Sequence, residues 1–331
     1  MPSRRVVMLA KESSPGVPKS SPVTGTDRFY LRLGDGTDLQ VDPIILEIPH
    51  GGGLTTAACA DWDQMTATGT IDTILYVDQA PLLLSWLLTR VNTGRTTPWA
   101  TTDPDELMPP GDLATLSWYE AIQERNGTWT RTAIRSLKPQ SFSLTAVDDG
   151  AGRQFRLQIQ VIGGKRETVD STEFPLPAQA DYPCASYLFS HLQGGLKIAT
   201  DRNLIRNVTV NVQNTLDVSY FEYQYPKWAN FYGRATTLEA ELPRKSSLAD
   251  YQDFLDLAAQ EASFELNNGA KWIKIDFLGN NHWQRMQKQV PDDRAYSWAA
   301  VLKNKIDAAE DNDLVFTSGV VEEEEEGEGG D

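Results

Sequence analysis

The sequence predicts a mainly β protein with two β-sandwich halves, each carrying one packed α-helix, plus an extended N-terminal arm and long loops. Apolar and polar residues alternate in many short runs, most clearly at residues 154–162, where Arg156, Gln158 and Gln160 separate four apolar residues. A period of two is typical of a strand with one buried face and one wet face. Turn-forming residues separate the runs, and only two segments show clear helical spacing, so strands predominate.

The first half is predicted to contain a strand, a helix and two further pairs of strands. Residues 71–77 are apolar and β-branched, and residues 81–91 place apolar side chains at helical spacing behind Pro81. Asn126-Gly127 indicates a hairpin turn. The remaining strands of this half are predicted at residues 118–123, 128–134, 141–147 and 154–162.

The second half repeats the order of strand, helix and further strands. Ser247 is a suitable N-cap for a helix that runs to about residue 262, while residues 298–306 fit either a strand or a helix. This repeated order suggests a duplicated unit. The strands of this half are predicted at residues 190–200, 206–212, 216–225, 234–242, 263–266, 271–278, 283–290, 295–303 and 314–318.

The composition changes along the chain and suggests four regions. Residues 1–68 are rich in Gly, Pro, Ser and Thr, which favours an arm with brief strands over a compact core. Residues 92–112 are a long segment with four prolines, and loops of this length are usually functional, while residues 165–183 resemble a linker. The predicted regions are the arm at 1–68, a first β half at 69–180, a second at 181–321 and a disordered acidic tail at 322–331.

Charge and composition exclude several classes of protein. The 331 residues include 30 basic and 46 acidic residues, for a net charge of −16. Proteins that hold phosphate backbones need clustered cations, so specific nucleic-acid binding is not expected. Two cysteines, Cys59 and Cys184, cannot form a disulfide scaffold, and no apolar run approaches the ~18 residues of a membrane span. A soluble protein with no membrane partner is predicted.

No motif in the sequence carries catalytic or cofactor-binding chemistry. The three histidines are far apart and match no metal-ligand spacing, and no phosphate-binding loop or nucleophile elbow is present. Glu239 and Glu241 alternate along one strand face and would suit a glycosidase, but exposed strand acids explain them more simply. We therefore expect no cofactor, no metal site and no enzymatic activity.

Several segments have residues in the pattern and order of one known family. They are residues 9–16, 69–75, 81–88, 136–163, 206–217 and 232–242, followed by the helix from Leu248 to about Ala259. Together they resemble the major tail tube protein of bacteriophages with long non-contractile tails. The acidic tail and the absence of an aromatic residue before Gly16 depart from the family pattern.

The resemblance implies a structural virion protein that polymerises as stacked rings into the tail tube, the conduit for DNA ejection. A ring of six fold copies with about four inner strands each would close a barrel of ~24 strands, near 50 Å across at ~4.8 Å spacing and ~40° tilt. The two helix-bearing halves favour two copies per chain and so a trimeric ring with pseudo-sixfold symmetry; the alternative, one copy per chain, implies a hexameric ring. Gln158 and Gln160 are the lumen candidates, on a neutral or negative wall that double-stranded DNA passes without specific binding.

The resemblance also implies further partners and a location. The tape measure protein and the tail terminator would contact the tube, which would be assembled in the host cytoplasm and lie in the virion tail. Residues 92–112 and the N-terminal arm would reach the next ring. The alternative function is a phage capsid decoration protein or another β-sandwich surface binding module. The inter-ring contact candidates are Arg95, Trp99, Asp103, Asp105 and Glu106.

Overall fold

The computed structural model is mainly β, as the sequence predicts. It describes residues 4–20, 22, 27–34, 36–49, 57–77, 79–88, 115–148, 153–178, 190–198, 201–203, 207–219, 228–243, 255–256, 259–267, 271–289, 297–303 and 314–320. The elements up to residue 168 are β1 Arg5–Ser14, β2 Val17–Pro18, β3 Arg28–Tyr30, β4 Asp38–Pro49, β5 Ala57–Ile74, α1 Ala80–Leu88, β6 Leu116–Gln123, β7 Trp129–Asp148, β8 Arg153–Gly163 and β9 Arg166–Thr168. The later strands are β10 Ser190–Ile198, β11 Asp201–Asn203, β12 Asn207–Ser219, β13 Trp228–Pro243, β14 Gln260–Asn267, β15 Lys271–Gln289, β16 Ser297–Lys303 and β17 Leu314–Val320.

The strands form one long sheet and two shorter ones, all with antiparallel pairing. The long sheet has the order β4-β5-β8-β7-β12-β13-β16-β15. One short sheet has the order β3-β1-β6-β7-β9, and the other has the order β11-β10-β14-β15-β17. Strands β7 and β15 each leave a short sheet and continue into the long one, so each turns the corner between two layers.

The core lies between the long sheet and the two short sheets. Side chains from both halves of the chain form one buried cluster, which includes Leu9, Ile71, Ile159, Val210 and Ile275. A second, smaller cluster covers the other face of the first short sheet, where Phe174 packs against Tyr119 with ring centroids 5.6 Å apart. The described part of the predicted linker at residues 165–183 is attached to that sheet through β9 and Phe174.

Helix α1 confirms the helix predicted at residues 81–91, as far as the described residues extend. All its residues except Ser85 are apolar, and Leu83, Leu84 and Leu87 are buried, as expected for a helix that sits within a core. Trp86 is fully buried, and its indole Nε1 donates a hydrogen bond to the carbonyl of Leu137 at 3.3 Å. The helix is therefore fixed to β7 at the residue where that strand changes sheets.

Local signals predicted the hairpins correctly. The turn at Asn126-Gly127 joins β6 to β7, and Gly127 has the positive φ of 88° that a tight turn requires. In β8 the four apolar residues from Phe155 to Val161 are buried, whereas Arg156, Gln158 and Gln160 are exposed. The ambiguous segment from residue 298 is a strand up to residue 303, because it pairs with both β13 and β15.

Two pairs of predicted strands are in fact single long strands. The strands predicted at 128–134 and 141–147 both lie in β7 from Trp129 onward, and those predicted at 271–278 and 283–290 both lie in β15 up to Gln289. Pro139 lies between the two predicted segments, at a bulge in the pairing with β8, where the missing amide N–H disturbs the ladder little. Ser136 just before it takes a positive φ of 55°, which turns the strand. The predicted strand at 206–212, from Asn207 onward, and the start of the one at 216–225 likewise lie in one strand, β12.

The prediction of an arm with only brief strands at residues 1–68 is wrong for much of that region. Strand β1 is central in the first short sheet, and Val7 and Leu9 are buried in the main core. Strands β4 and β5 are long and pair with each other along almost their full length. The Gly- and Pro-rich segments lie between these strands, and their composition hid the strands' apolar alternation.

The helix predicted at residues 247–262 is described only in part. Leu255 is helical, and most of the remaining positions lie outside the described residues. The predicted end at about residue 262 is wrong, because β14 already begins at Gln260. Ala262 pairs with Phe277 of β15 and joins the core, so sheet formation overrides the helical spacing there.

Candidate functional site

One face of the long sheet is lined by small neutral polar side chains. We call this surface the polar face, and its central residues are Thr70, Ser141, Ser143, Gln158, Gln160, Asn211, Gln213 and Thr237. They come from β5, β8, β7, β12 and β13, and the strand registers place them side by side. Ser141 lies opposite both Gln160 and Gln213, and Ser143 lies opposite Asn211. The polar face is thus continuous across both halves of the chain.

The period of two along each strand produces this surface. Residues that alternate with the polar ones, such as Phe142, Leu157 and Val212, are buried in the main core. A register slip of one residue would exchange the two faces, so burial of the apolar set fixes which side chains face out. The polar face is therefore specified by the same pattern that builds the core.

Neighbouring strands are linked across the polar face by side-chain hydrogen bonds. Ser141 Oγ donates to Gln160 Oε1 at 3.1 Å, and the hydroxyls of Thr145 and Thr209 share a hydrogen bond of 3.3 Å. Asn211 Nδ2 donates to Glu239 Oε1 at 3.2 Å. These contacts satisfy part of the hydrogen-bonding capacity of the polar groups and leave a surface with little net charge at its centre.

Charged groups lie toward the ends and margins of the polar face. The Asp72 carboxylate is 1% exposed and forms a two-pronged ion pair with Arg156, whose side chain is 56% exposed, with Arg156 Nε donating to Asp72 Oδ1 at 2.8 Å. Farther along the sheet, Glu239, Arg285 and Lys303 are exposed. Both signs occur, so no strong positive patch forms among these described residues.

Asp72 also holds the turn that leads into β4. Its backbone carbonyl accepts hydrogen bonds from Gly34 N at 2.7 Å and from Thr37 Oγ1 at 3.0 Å. A Cβ at Gly34 would lie 2.6 Å from Asp72 Oδ2, so the glycine allows the turn to close on the carboxylate. The hydrogen bond from Arg156 lowers the pKa of Asp72 from its ordinary value of 3.8, against the opposing effect of burial.

This lowered pKa predicts a pH-dependent contribution to stability. The ionised Asp72 stabilises the fold at pH values above 3.8, and this contribution is lost as the pH falls through the lower folded-state pKa. We expect Asp72→Asn to cost about 2 kcal/mol near neutral pH and much less in strong acid. Urea unfolding of both proteins from neutral to acid pH measures this difference. The exposed Asp38→Asn is the control, and an equal, pH-independent loss in both variants would contradict the prediction.

The structure places the predicted site residues as follows. Gln158 and Gln160 are exposed at the centre of the polar face. The five inter-ring candidates, Arg95, Trp99, Asp103, Asp105 and Glu106, lie outside the described residues. Sequence reasoning missed Ser141 and Ser143 in β7, although the alternation Ser-Phe-Ser-Leu-Thr from residue 141 was visible. It also missed Asn211 and Gln213, because only the three-dimensional pairing of β7 with β12 brings them to this surface.

The described residues contain no cluster that would suit a metal ion, since no group of three or more His, Cys, Asp or Glu among them could hold one. Glu239 lies on the polar face, where it accepts the hydrogen bond from Asn211. In the part of the chain that the structure covers, no helix is long and apolar enough to cross a membrane.

Comparison with known proteins identifies the family. The model of the family described as phage tail tube protein matches residues 2–314. The chain belongs to the phage tail tube protein family. As a tail tube protein it is a structural component of the virion tail that self-assembles into a tube. A search of curated proteins gives no match.

Proposed function

We propose that three copies of this chain form a ring whose long sheets join into one inner barrel, and that rings stack into the tail tube. The observation that carries the proposal is the eight-stranded sheet with a continuous neutral polar face. Three such sheets give ~24 strands and a backbone diameter near 50 Å. The core covers the opposite face of the sheet, so the polar face is the surface available to line the lumen.

The repeated pairing order supports two fold copies within each chain. The pairings β1–β6, β4–β5, β5–β8, β6–β7, β7–β8 and β7–β9 have counterparts in β10–β14, β12–β13, β13–β16, β14–β15, β15–β16 and β15–β17. We infer that residues up to about 180 and residues from about 181 are the two halves. This favours a trimeric ring with pseudo-sixfold symmetry over a hexameric one.

The proposed lumen is suited to the passage of DNA. Ser, Thr, Asn and Gln side chains present hydrogen-bonding groups without the clustered cations that hold phosphates. During ejection the double-stranded DNA would slide along this wall from virion to host. The tape measure protein would occupy the same lumen before ejection, and the tail terminator would close the end of the stack.

Negative-stain electron microscopy of purified protein at increasing concentration tests the proposal. Hollow filaments of uniform width with a periodic ring repeat are the expected result. Protein that stays monomeric at every concentration, and that forms no tube when added to tail initiation complexes, would contradict it. A monomer that binds capsids or glycans would instead support the decoration or binding-module function.

Added positive charge in the lumen should make the tube retain DNA. We expect tubes of the Gln158→Lys/Gln160→Lys variant to hold short duplex DNA at low salt and to release it as salt rises, because lysines bind phosphates with release of counterions. Wild-type tubes should retain none. Fluorescent DNA that sediments with the tubes is the measure, and Thr128→Lys, in an exposed turn, is the control. Equal retention by the double variant and the control would contradict a lumen position.

Residues 92–112 remain the proposed contact between rings. Deletion of residues 96–109 removes Trp99, Asp103, Asp105 and Glu106 from the predicted contact set. We expect the deletion variant to form single rings but no long tubes, since the strands of the long sheet are retained. Size-exclusion chromatography with light scattering distinguishes rings from tubes. Full-length tubes of the deletion variant would refute the role of this loop.

A further inference from the structure

The long sheet ends in two strand edges that have no partner among the described residues. At one end, the only described partner of β4 is β5. At the other end, the only described partner of β15 beyond Asn281 is β16. A strand edge presents unpaired backbone N–H and C=O groups and is a template for another strand. Both edges adjoin the polar face.

Irregularities in the ladders show which residues of the two halves correspond. The β6–β7 pairing is bulged between Leu116 and Trp118, and the β14–β15 pairing is bulged between Gln260 and Ala262. Likewise, the β7–β8 pairing is bulged between Pro139 and Ser141, and the β15–β16 pairing is bulged between Trp283 and Arg285. In both comparisons, the residue of the second half lies the same number of positions after its counterpart in the first half. Arg285 of β15 therefore corresponds to Ser141 of β7.

One pairing of β7 has no counterpart in β15 among the described residues. Strand β7 pairs with β12, the first strand of the hairpin in the second half, and Ser141 lies opposite Gln213. The corresponding partner of β15 is the first strand of the other hairpin, which is β4. Within the chain these two strands are the opposite ends of the sheet. The missing pairing can therefore be made only with a second copy.

The same correspondence gives the register. Residues that pair directly from strand to strand form a row across the sheet. One row consists of Ser141, Gln160, Thr70 and Asp38. Another row consists of Arg285, Val301, Glu239 and Thr209. Asp38 thus corresponds to Thr209, and Asp42, four residues later, corresponds to Gln213. We propose that β4 of one copy pairs antiparallel with β15 of the next copy, with Arg285 opposite Asp42 and Gln287 opposite Gln40.

Charge and exposure support this register. Arg285 and Gln287 are exposed on β15, as are Asp38 and Gln40 on β4, and Arg285 has no ion-pair partner among the described residues. The proposed register places this cation opposite an acid. A slip of two residues would place it opposite Gln40 or Ile44 instead. The internal junction of Ser141 with Gln213 is neutral, so only the junction between copies carries opposite charges.

Site-directed cross-linking tests this register, which rests on the proposed tube function. The Gln40→Cys/Gln287→Cys variant is assembled into tubes, oxidised or treated with a short bismaleimide, and digested for mass spectrometry. We expect a link between residues 40 and 287 of different copies and a ladder of dimer and trimer in denaturing gels. The Leu39→Cys/Gln287→Cys control places its first cysteine on the opposite face and should link poorly. Tubes in which the control links as well as the test pair would overturn the register while leaving the function intact.

Charge reversal provides a second, independent measurement. We expect Arg285→Glu to raise the concentration needed for assembly about two- to fivefold per junction, because like charges then lie opposite each other. The double variant Arg285→Glu/Asp42→Arg should assemble again at the wild-type concentration. Lys303→Glu, an exposed reversal on the same face but away from the edge, is the matched control. A double variant no better than Arg285→Glu would overturn the pairing, whereas failure of the wild type to form rings would overturn the proposed function itself.

Discussion

Arg135→Leu should destabilise the fold by about 3 kcal/mol, because it removes the centre of a buried polar network. Arg135 Nε donates to Glu167 Oε1 at 2.6 Å, and its Nη1 donates to Ser117 Oγ at 3.3 Å and to Tyr119 Oη at 2.5 Å. Its Nη2 forms an ion pair with Glu173. Ser117 and Tyr119 are buried, so the leucine variant leaves them without this donor.

The hydrogen bonds and ion pairs around Arg135 explain why the expected loss of stability is large. Burial would lower the pKa of Arg135, but hydrogen bonds to Glu173 and Glu167 raise it above its ordinary value, so the guanidinium stays charged. Burial raises the pKa of Tyr119 to about 12, so its hydroxyl remains a neutral donor to Glu173 Oε1 at 3.0 Å. Arg135 precedes Ser136, where β7 turns between sheets, and joins that corner to residues 166–174.

Urea unfolding followed by tryptophan fluorescence measures the loss, and hydrogen exchange of residues 166–174 shows where it occurs. Arg166→Leu is the matched control, since Arg166 is exposed and its nearest carboxylate oxygen, on Glu120, is 3.9 Å away. We expect the free energy of unfolding of this control to fall by less than about 1 kcal/mol. Equal losses in the two variants would show that Arg135 acts as an ordinary surface charge.

Gly69→Ala should abolish tube assembly, or raise the concentration it needs more than about tenfold, while leaving a folded monomer. A Cβ at Gly69 would lie 2.0 Å from the Asp38 carbonyl oxygen and 2.7 Å from Leu39 Cα. These are backbone atoms of β4, so no side-chain rotation relieves the clash and β4 must move away from β5. The displaced strand is the edge that meets a second copy in the proposed ring.

Sedimentation of assembled protein measures this effect, with circular dichroism as the test that the monomer is folded. Thr68→Ala, an exposed change one residue away in the same strand, is the control and should assemble like the wild type. Assembly of Gly69→Ala at the wild-type concentration would show that the position of β4 is not critical for closing the ring.

The sequence predicted those features that depend on local pattern. The alternation in residues 154–162 correctly predicted the buried and exposed faces of β8, and Asn126-Gly127 correctly predicted a hairpin turn. Spacing behind Pro81 gave helix α1. Each of these signals depends on residues within a few positions of one another, so no knowledge of distant pairing was needed.

The features that could not be predicted from the sequence depend on contacts between distant segments. Proline is unfavourable inside a strand, and only the bulge in the pairing of β7 with β8 makes Pro139 compatible with a single long strand. The contacts of Glu12 also join distant segments. Its carboxylate accepts hydrogen bonds from Ser117 Oγ at 2.6 Å and from Ser136 N at 2.9 Å, and both partners lie more than a hundred residues away along the chain. The polar face likewise requires β7 and β12 to meet.

A cryo-electron microscopy reconstruction of the assembled tube tests the central claim most directly. We predict rings of three chains whose long sheets form a closed inner barrel of ~24 strands, with Gln158 and Gln160 facing the lumen. Density for β4 of one copy should run antiparallel to β15 of the next. Rings of six chains, or a tube in which the polar face points away from the lumen, would contradict the account.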